Sequence, residues 1–470
     1  MHKNESSDSF RDHVAHQSKE GKREWIYPKI IKGKFYAYRS YFSWFLLLLF
    51  FAAPFIKING YPLLLLNVLE RKFVIFGQPF WPQDFHVFVF LTLTFLLFIV
   101  LFTVIFGRVW CGWACPQTIF MEMVFRRLEN AIEGNSVQQK KLDSMPWNIE
   151  KISKKTIKHS LFYGVSLLIS HTFLAYIIGY EVLWAKITGP FSENYVTLIS
   201  LVGFSFVFYL VFAKMRELVC IMACPYGRLQ GVMLDPNSMV VAYDDVRGEP
   251  RRKLKKTKIH DELGDCVDCG LCVDVCPTGI DIRNGTQLEC INCTMCIDAC
   301  DGVMKKINRA VGLIRVDSKN NIDQNIGFRL SPRIIAYSVV MFLLVGVSVA
   351  ILATRKSVEA HVFRIPGSTY SENEDGKITN MYTLELVNKT FEDKTFGVQL
   401  RPSNSGTNAQ LFLTDQDSIL QLNQEEKKVI MITMEQRAIH ENDVPMQLDV
   451  YVNGEIINRI NTSFLAPVRQ

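Results

Sequence analysis

Twelve cysteines carry the chemistry open to this sequence, at positions 111, 115, 220, 224, 266, 269, 272, 276, 290, 293, 296 and 300. Scattered thiols suit disulfides in a secreted chain, whereas tight groups at fixed short spacings suit metal centres in a reducing compartment. Residues 266–277 read CVDCGLCVDVCP and residues 290–300 read CINCTMCIDAC, the same C-x2-C-x2-C-x3-C run twice, with a closing Pro in the first only. This is two-cluster bacterial ferredoxin spacing, in which three thiolates of one loop wrap a cubane and the fourth of each run ligates the other cluster. It predicts Cys266, Cys269, Cys272 and Cys300 on one [4Fe–4S] cluster and Cys290, Cys293, Cys296 and Cys276 on the second. Pro277 is expected to turn the chain after its crossing ligand; Asp301 stands at the matching place in the second run. A zinc site or a set of inert thiols could use the same short pairs, but two such runs of four speak for an electron relay.

The other four cysteines fall in RVWCGWACPQTIF (108–120) and RELVCIMACPYGRLQ (216–230), each a C-x3-C-P directly after an apolar stretch and preceded by an arginine. The recurrence reads as an internal repeat of a two-helix unit. Spacing of four places Cys111 over Cys115, and Cys220 over Cys224, wherever the backbone is helical, and Pro116 and Pro225 are expected to break or redirect the helix. Packed about a pseudo-twofold axis, the repeats would bring four thiols together. Such a set suits Cu(I), a further iron–sulfur centre or zinc, and Met222, with Met121, Met123 and Met215 nearby, offers thioethers that Cu(I) favours. Apolar filling of helix ends is the competing use of these Met and Cys side chains.

The elements that must position these thiols are membrane helices. Among 470 residues, 49% are apolar, 21% charged and 33 are Phe, which points away from a wholly cytosolic protein. The net charge of +6 gives little support to nucleic-acid binding. Five stretches, near 41–59, 83–107, 158–180, 195–214 and 332–353, reach the roughly 20 apolar residues a span needs. Residues 1–42 carry nine Lys or Arg and residues 108–158 nine more, against Arg71 and Lys72 in 60–82 and Lys186 in 181–194. The positive-inside rule then places the N-terminus, 108–158 and 215–331 in the cytoplasm and 354–470 outside. The polar N-terminal stretch and the absence of a cleavage site after the first span argue against a cleaved signal peptide. In the last segment, YTLELVNKT (382–390), FGVQL (396–400), KVIMITM (428–434) and MQLDVYVNG (446–454) alternate in strand fashion, predicting a β-sandwich of immunoglobulin-like size.

The fold class expected is thus a multi-domain membrane protein: a cytoplasmic tail (1–40), an α-helical transmembrane region with the two repeats (41–235), a cytoplasmic two-cluster ferredoxin-like insert (236–331), a fifth span (332–353) and an all-β immunoglobulin-like sandwich (354–470). WCGWACPQTIFMEMVFRRLE (110–129), WNIEKISKKTIKHSLFYGVSLLISHTFLAYIIG (147–179), YDDVRGEPR (243–251) and CVDCGLCVDVCPTGIDIRNGTQLECINC (266–293) resemble the cytochrome cbb3 oxidase accessory proteins, also called the FixG or RdxA family, over residues from about 30 to 460. The resemblance implies a bacterial inner-membrane iron–sulfur oxidoreductase that reduces Cu(II) to Cu(I) for terminal oxidase assembly. Its implied partners are the lipid bilayer, copper ions, oxidase subunits or copper chaperones, and an electron donor still to be identified.

Two other functions compete with copper reduction at Cys111, Cys115, Cys220 and Cys224. One is a quinol-linked polyferredoxin conduit to another reductase; the other is an assembly scaffold with structural clusters. There is no P-loop, no G-x-G-x-x-G after a strand, no nucleophile elbow and no H-E-x-x-H to suggest other chemistry. His171, deep in the third span, is expected to make a helix-packing hydrogen bond rather than to ligate haem or touch quinone. Arg251, Arg252, Lys253, Lys255, Lys256 and Lys258 form a basic run that suits a solvated or headgroup-facing stretch, or docking of an acidic donor. Asp244, Asp245, Arg247 and Glu249 are expected to pair as a linker salt-bridge set. Trp110 and Trp113 are read as interfacial anchors that could shield a metal, and His361 shows no metal spacing.

Overall fold

The computed structural model describes residues 23–58, 60–68, 72–80, 85–253, 264–324, 332–354, 358–367, 369–373, 376–389, 393–401, 409–413, 419–420, 425–439 and 441–467. Lys255, Lys256 and Lys258 of the basic run, and the first 22 residues of the tail, lie outside them. The chain divides into two compact units, Met1–Lys57 with Pro62–Arg71 and Phe85–Ser348 in one, and Ile58–Tyr61 with Lys72–Asp84 and Val349–Gln470 in the other.

Among the described residues five helices are long and apolar enough to cross a membrane: Lys34–Phe55, His86–Phe106, Ile149–Ile178, Phe191–Met215 and Pro332–Ala353. The first and third begin earlier than their apolar stretches suggest, because each is started by a cap rather than by hydropathy. Before the first, Gly33 is extended, and the Asp298 carboxylate accepts hydrogen bonds from the Phe35 and Tyr36 N–H groups at 3.2 and 2.7 Å, filling the orphan donors of the first turn from a distant part of the chain. A Cβ on Gly33 would meet Asp298 at 2.1 Å. The third helix is opened by Asn148, which accepts from the Lys151 N–H at 2.8 Å, and closed at Gly179, whose φ is +83°. At 30 residues it is longer than the roughly 20 needed to cross hydrocarbon, and its first turns carry Lys151, Lys154, Lys155 and Lys158.

The first, third and fourth spans meet the segment after the first C-x3-C-P at an aromatic core. Phe125, just after the first C-x3-C-P, stacks on Phe212, just before the second, at 4.4 Å and 13°, and Phe162 of the third span meets Phe125 edge-on at 4.9 Å. Ion pairs repeat the tie in charged form: Arg126 with Glu217 (3.3 Å), Arg216 with Glu129 (2.5 Å), and Lys158 with Glu129 and Glu133 (3.3 and 2.7 Å). Almost all these groups are buried, so removing one partner would strand a charge at a cost of about 3–5 kcal/mol.

Within Val349–Gln470 the second unit carries two antiparallel sheets among the described residues. Strand Lys377–Asn388 lies between Glu425–Glu435 and Val358–Arg364, with Gln410–Leu413 on the far side of Glu425–Glu435; Ser371–Glu372 also pairs with Lys377–Asn388. The other sheet orders Ile419–Leu420, Lys394–Leu400, Asp443–Val452 and Glu455–Leu465. Alternate residues, including Ile378, Leu384, Leu386, Ile430, Ile432, Leu448, Val450 and Phe464, face the core, as a half-buried strand requires. The strand expected over 446–454 stops at Val452: Asn453 (φ 49°) and Gly454 (φ 85°) form the turn of a two-residue hairpin that pairs Val452 with Glu455, the Asn-Gly combination whose left-handed backbone matches strand twist. Thr390, the end of the strand expected over 382–390, lies outside the described residues.

Candidate iron–sulfur and thiol sites

The ferredoxin runs sit on a short buried ladder in which Val240–Tyr243 pairs antiparallel with Ile314–Asp317. Each run makes the same two left-handed bends around its middle cysteine. Asp268 (φ 50°) and Gly270 (φ 70°) flank Cys269; Asn292 (φ 52°) and Thr294 (φ 65°) flank Cys293. Such bends turn successive N–H groups inward to form a concavity for an anion, the backbone nest found at many Fe–S sites. After each bend a helix begins. The first, Leu271–Asp274, is short and Pro277 follows it; the second, Met295–Lys306, runs past Asp301 for 12 residues, because Asp keeps the N–H that proline lacks.

Two apolar pockets lie within these loops. Pocket one is lined by Cys266, Cys269, Cys272 and Cys300 with Tyr243 and Arg283. Pocket two is lined by Cys276, Cys290, Cys293, Cys296 and again Cys272, with aliphatic side chains around them. Burial pushes the Cys272, Cys290 and Cys300 thiols up to about 12 and Cys293 to about 11, and raises Cys276 and Cys296 as well. Metal binding must therefore displace their protons. Among the described residues, no three His, Cys, Asp or Glu side chains are set for a single metal ion; the thiols instead ring two cavities beside inward-bent backbone, a donor set and shape that fit polynuclear iron–sulfur clusters.

The C-x3-C-P motifs share a second geometry. Cys115 and Cys224 are extended (ψ 125° and 110°), each followed by a helix with Pro in its first turn, and each closes its loop through an i→i−5 bond, to the Trp110 carbonyl at 2.9 Å and the Val219 carbonyl at 2.7 Å. The proline break therefore takes Cys115 and Cys224 off the helices that carry their partners, and the one-face stacking expected from spacing four is not what unites the pairs. Tertiary packing brings the two pairs within electrostatic reach of each other, although among the described residues no three of these thiols are set for a single metal ion. Cys111 feels the charge of Cys115 and Cys224, and Cys220 that of all three others; burial pushes Cys111 up to about 11 and Cys220 to about 12. Cys111 donates to Gln230 Oε1 at 2.8 Å, and Gln230 in turn donates to Thr103 at 3.0 Å and Tyr226 at 2.6 Å.

The first of these motifs is pressed against pocket two. A Cβ on Gly112 would lie 2.4 Å from the Ile291 carbonyl and 3.0 Å from Cys293 Cα, and Cys111 shares an apolar cluster with Val275, Ile291 and Cys293. Only glycine allows this approach. Three π-helical segments, Phe120–Phe125, Val211–Met215 and Val219–Ala223, surround the two motifs, the kind of irregular turn often found at functional sites.

Other residues singled out in the sequence fall elsewhere. Met222 and Met215 are exposed, Met121 is in the aromatic core, and Met123 accepts from Ser40 at 3.8 Å and Arg127 at 3.5 Å. His171 Nδ1 bonds the Leu167 carbonyl of its own helix at 2.7 Å, and His159 meets the Tyr209 hydroxyl at 3.0 Å. Within YDDVRGEPR three charged groups pair outward rather than as one set: Asp244 with Arg315 (2.6 Å), Asp245 with Lys319 (2.8 Å) and Arg247 with Asp265 (2.5 Å); only Glu249 stays within the motif, 3.7 Å from Arg251. These pairs fasten the linker to the ferredoxin segment. Sequence reasoning missed Gly112, Asn292, Thr294 and Arg39, because their importance lies in long-range packing; the matched polar residues flanking Cys269 and Cys293 were the one local signal.

Two thiol pockets of ferredoxin spacing, joined to a second thiol set beneath apolar helices, define a membrane-anchored iron–sulfur electron-transfer protein. Residues 215–319 match the model of a 4Fe-4S dicluster domain, residues 88–133 that of a 4Fe-4S binding domain, and residues 348–467 that of the immunoglobulin-like fold at the C-terminus of FixG. The chain is 32% identical to nitrogen fixation protein FixG of Rhizobium meliloti over 82% of its own length and 81% of that protein's. It is 34% identical to protein RdxA of Cereibacter sphaeroides, covering 81% and 84% of the two chains, and 34% identical to protein RdxB of the same organism, covering 81% and 82%. The chain belongs to the FixG/RdxA family.

Proposed function

We propose that the protein reduces Cu(II) to Cu(I) for assembly of a cbb3-type oxidase, with Cys266, Cys269, Cys272 and Cys300 holding one [4Fe–4S] cluster, Cys276, Cys290, Cys293 and Cys296 the second, and Cys111, Cys115, Cys220 and Cys224 receiving copper as substrate. The observation that carries this reading is the packing of Gly112 on Ile291 and Cys293, which sets the first C-x3-C-P motif, with Cys111, against pocket two. When bound, the clusters supply one-electron chemistry, so one electron leaving them turns one Cu(II) into one Cu(I). The protein's own residues do the rest. Thiolates favour Cu(I) over Cu(II) and retain the product; Gln230 fixes the Cys111 thiol; buried aliphatic walls keep water from pocket two. In this reading the N-terminus and all twelve cysteines lie on the cytoplasmic side of a bacterial inner membrane and the β-sandwich in the periplasm, an arrangement that five spans and the Lys/Arg distribution support. There the sandwich offers a surface for an oxidase subunit or copper chaperone.

A second reading, a quinol-linked conduit to another reductase, draws on an open groove between the third and fourth spans, where the His159–Tyr209 pair meets Trp147, Lys155 and Tyr163. The test is anaerobic: reduced protein carrying both clusters is mixed with Cu(II), and cluster reoxidation is followed optically while a Cu(I)-selective chelator reports product. Cu(I) should form in step with reoxidation and more slowly in Cys→Ser variants at 111, 115, 220 and 224. Clusters that stay reduced, or variants as fast as the parent, would remove copper from these thiols and favour the conduit or a scaffold.

A further inference from the structure

The two pockets differ in the charge built around them. At pocket one, the guanidinium acting on Cys272 belongs to Arg283, which Asp281 and Asp268 neutralise at 2.6 and 2.5 Å, and Asp301 acts on Cys300 with negative charge. At pocket two the balance is reversed. Arg39, only 2% exposed, gives Nε to the Gly112 carbonyl at 2.8 Å, acts on Cys293, and leaves Nη2 buried without a partner. Arg108, 3% exposed, donates to the Leu288 carbonyl, acts on both Cys290 and Cys111, and leaves Nε buried without a partner. Among the described residues neither forms an ion pair. Glu122, the carboxylate that acts on Cys293, is taken up by Arg126 at 3.0 Å. The buried Asn292 Nδ2 is likewise without a partner.

A buried charge without a counter-charge is strongly disfavoured, and a fold that keeps two of them at one pocket needs an anion there. A thiolate-ligated cluster is such an anion, and it gains a further negative charge on reduction. Nearby cations and hydrogen-bond donors therefore stabilise its reduced form most and raise its potential. We infer that Arg39 and Arg108 are the counter-cations of pocket two and make its cluster the higher-potential member of the pair, so that an electron entering near the exposed Cys269 comes to rest beside Cys111. Both arginines act as positioning and tuning residues, since neither is a ligand. The inference rests on the reading that each pocket holds a [4Fe–4S] cluster.

The test is a potentiometric titration of the full chain followed by electron paramagnetic resonance, with the two signals assigned through Cys290→Ser and Cys266→Ser. In the parent, the pocket-two cluster should be reduced first. In Arg39→Gln and Arg108→Gln its potential should fall enough to move the electron partition between the clusters at least tenfold, 59 mV for a one-electron couple, while the pocket-one cluster keeps its potential. Arg39→Lys should retain most of the parent value. Asp281→Asn, at pocket one, covers the case in which an arginine variant fails to fold, and should narrow the gap by raising the first cluster. A pocket-one cluster that is reduced first, glutamine variants that shift neither cluster or both alike, or an unmoved gap in Asp281→Asn would overturn the inference. Iron and sulfide below two clusters per chain in the parent would instead overturn the reading beneath it, and the inference with it.

Discussion

Residues 266–272 and 290–296 bend at the same two places, yet the first loop leaves Cys269 exposed while the second is packed beneath the first C-x3-C-P motif. Spacing and backbone are shared; the surroundings are not. A repeated ligand loop fixes what a pocket can hold, and tertiary contacts fix what each copy is used for. Pocket one faces outward, bordered by carboxylates and the linker. Pocket two is buried against Gly112, Arg39 and Arg108, at the entrance to the membrane thiols. On the proposed reading, one receives an electron and the other delivers it.

The comparison can be broken most forcefully by removing one pocket at a time. Cys293→Ser should cut iron from about eight to about four atoms per chain, four being the content of one cluster, and abolish Cu(II)-driven reoxidation. Cys269→Ser should lose the same amount of iron and leave the remaining cluster able to react with Cu(II) once reduced chemically. Gly112→Val tests the junction alone: overpacking against the Ile291 carbonyl should cost about 1–3 kcal/mol in thermal unfolding and slow Cu(I) formation, with both clusters present. Gly270→Ala tests the left-handed bend, since open space surrounds the added Cβ and only φ opposes it; the expected cost is about 1–2 kcal/mol. The buried Thr294 tolerates that bend at pocket two with its hydroxyl bonded to the Cys293 carbonyl at 2.6 Å. The smallest effect is expected from Asp298→Ala, which removes the remote cap of the first span at a cost of about 1 kcal/mol, leaving cluster content unchanged.

Much of this arrangement was legible in the sequence because it is local. Ligand loops are defined by spacing over a dozen residues, spans by apolar length, and sandwich strands by alternation. The misplaced boundaries have physical causes. The first and third spans start at caps outside their apolar stretches, one of them supplied by Asp298 from far along the chain. Strand 446–454 was extended through Asn453 and Gly454, whose left-handed backbone makes them a turn. The meeting of Cys111 with Ile291 and Cys293 was not legible, since it joins segments separated by two spans through a glycine with no local mark. Nor was the partnering of Asp244, Asp245 and Arg247, which depends on residues brought in by the short Val240–Tyr243 ladder.

Each pocket depends on a crossing ligand, since Cys276 and Cys300 each belong to the run of one pocket and line the other. The most direct measurement is electron paramagnetic resonance of the dithionite-reduced protein for Cys276→Ser and Cys300→Ser beside the parent. Cys300→Ser should perturb the cluster also lost in Cys266→Ser, and Cys276→Ser the cluster also lost in Cys290→Ser. If each variant instead disturbed the cluster of its own run, the pockets would be assembled without crossing and the placement of the second cluster beside Cys111 would be wrong.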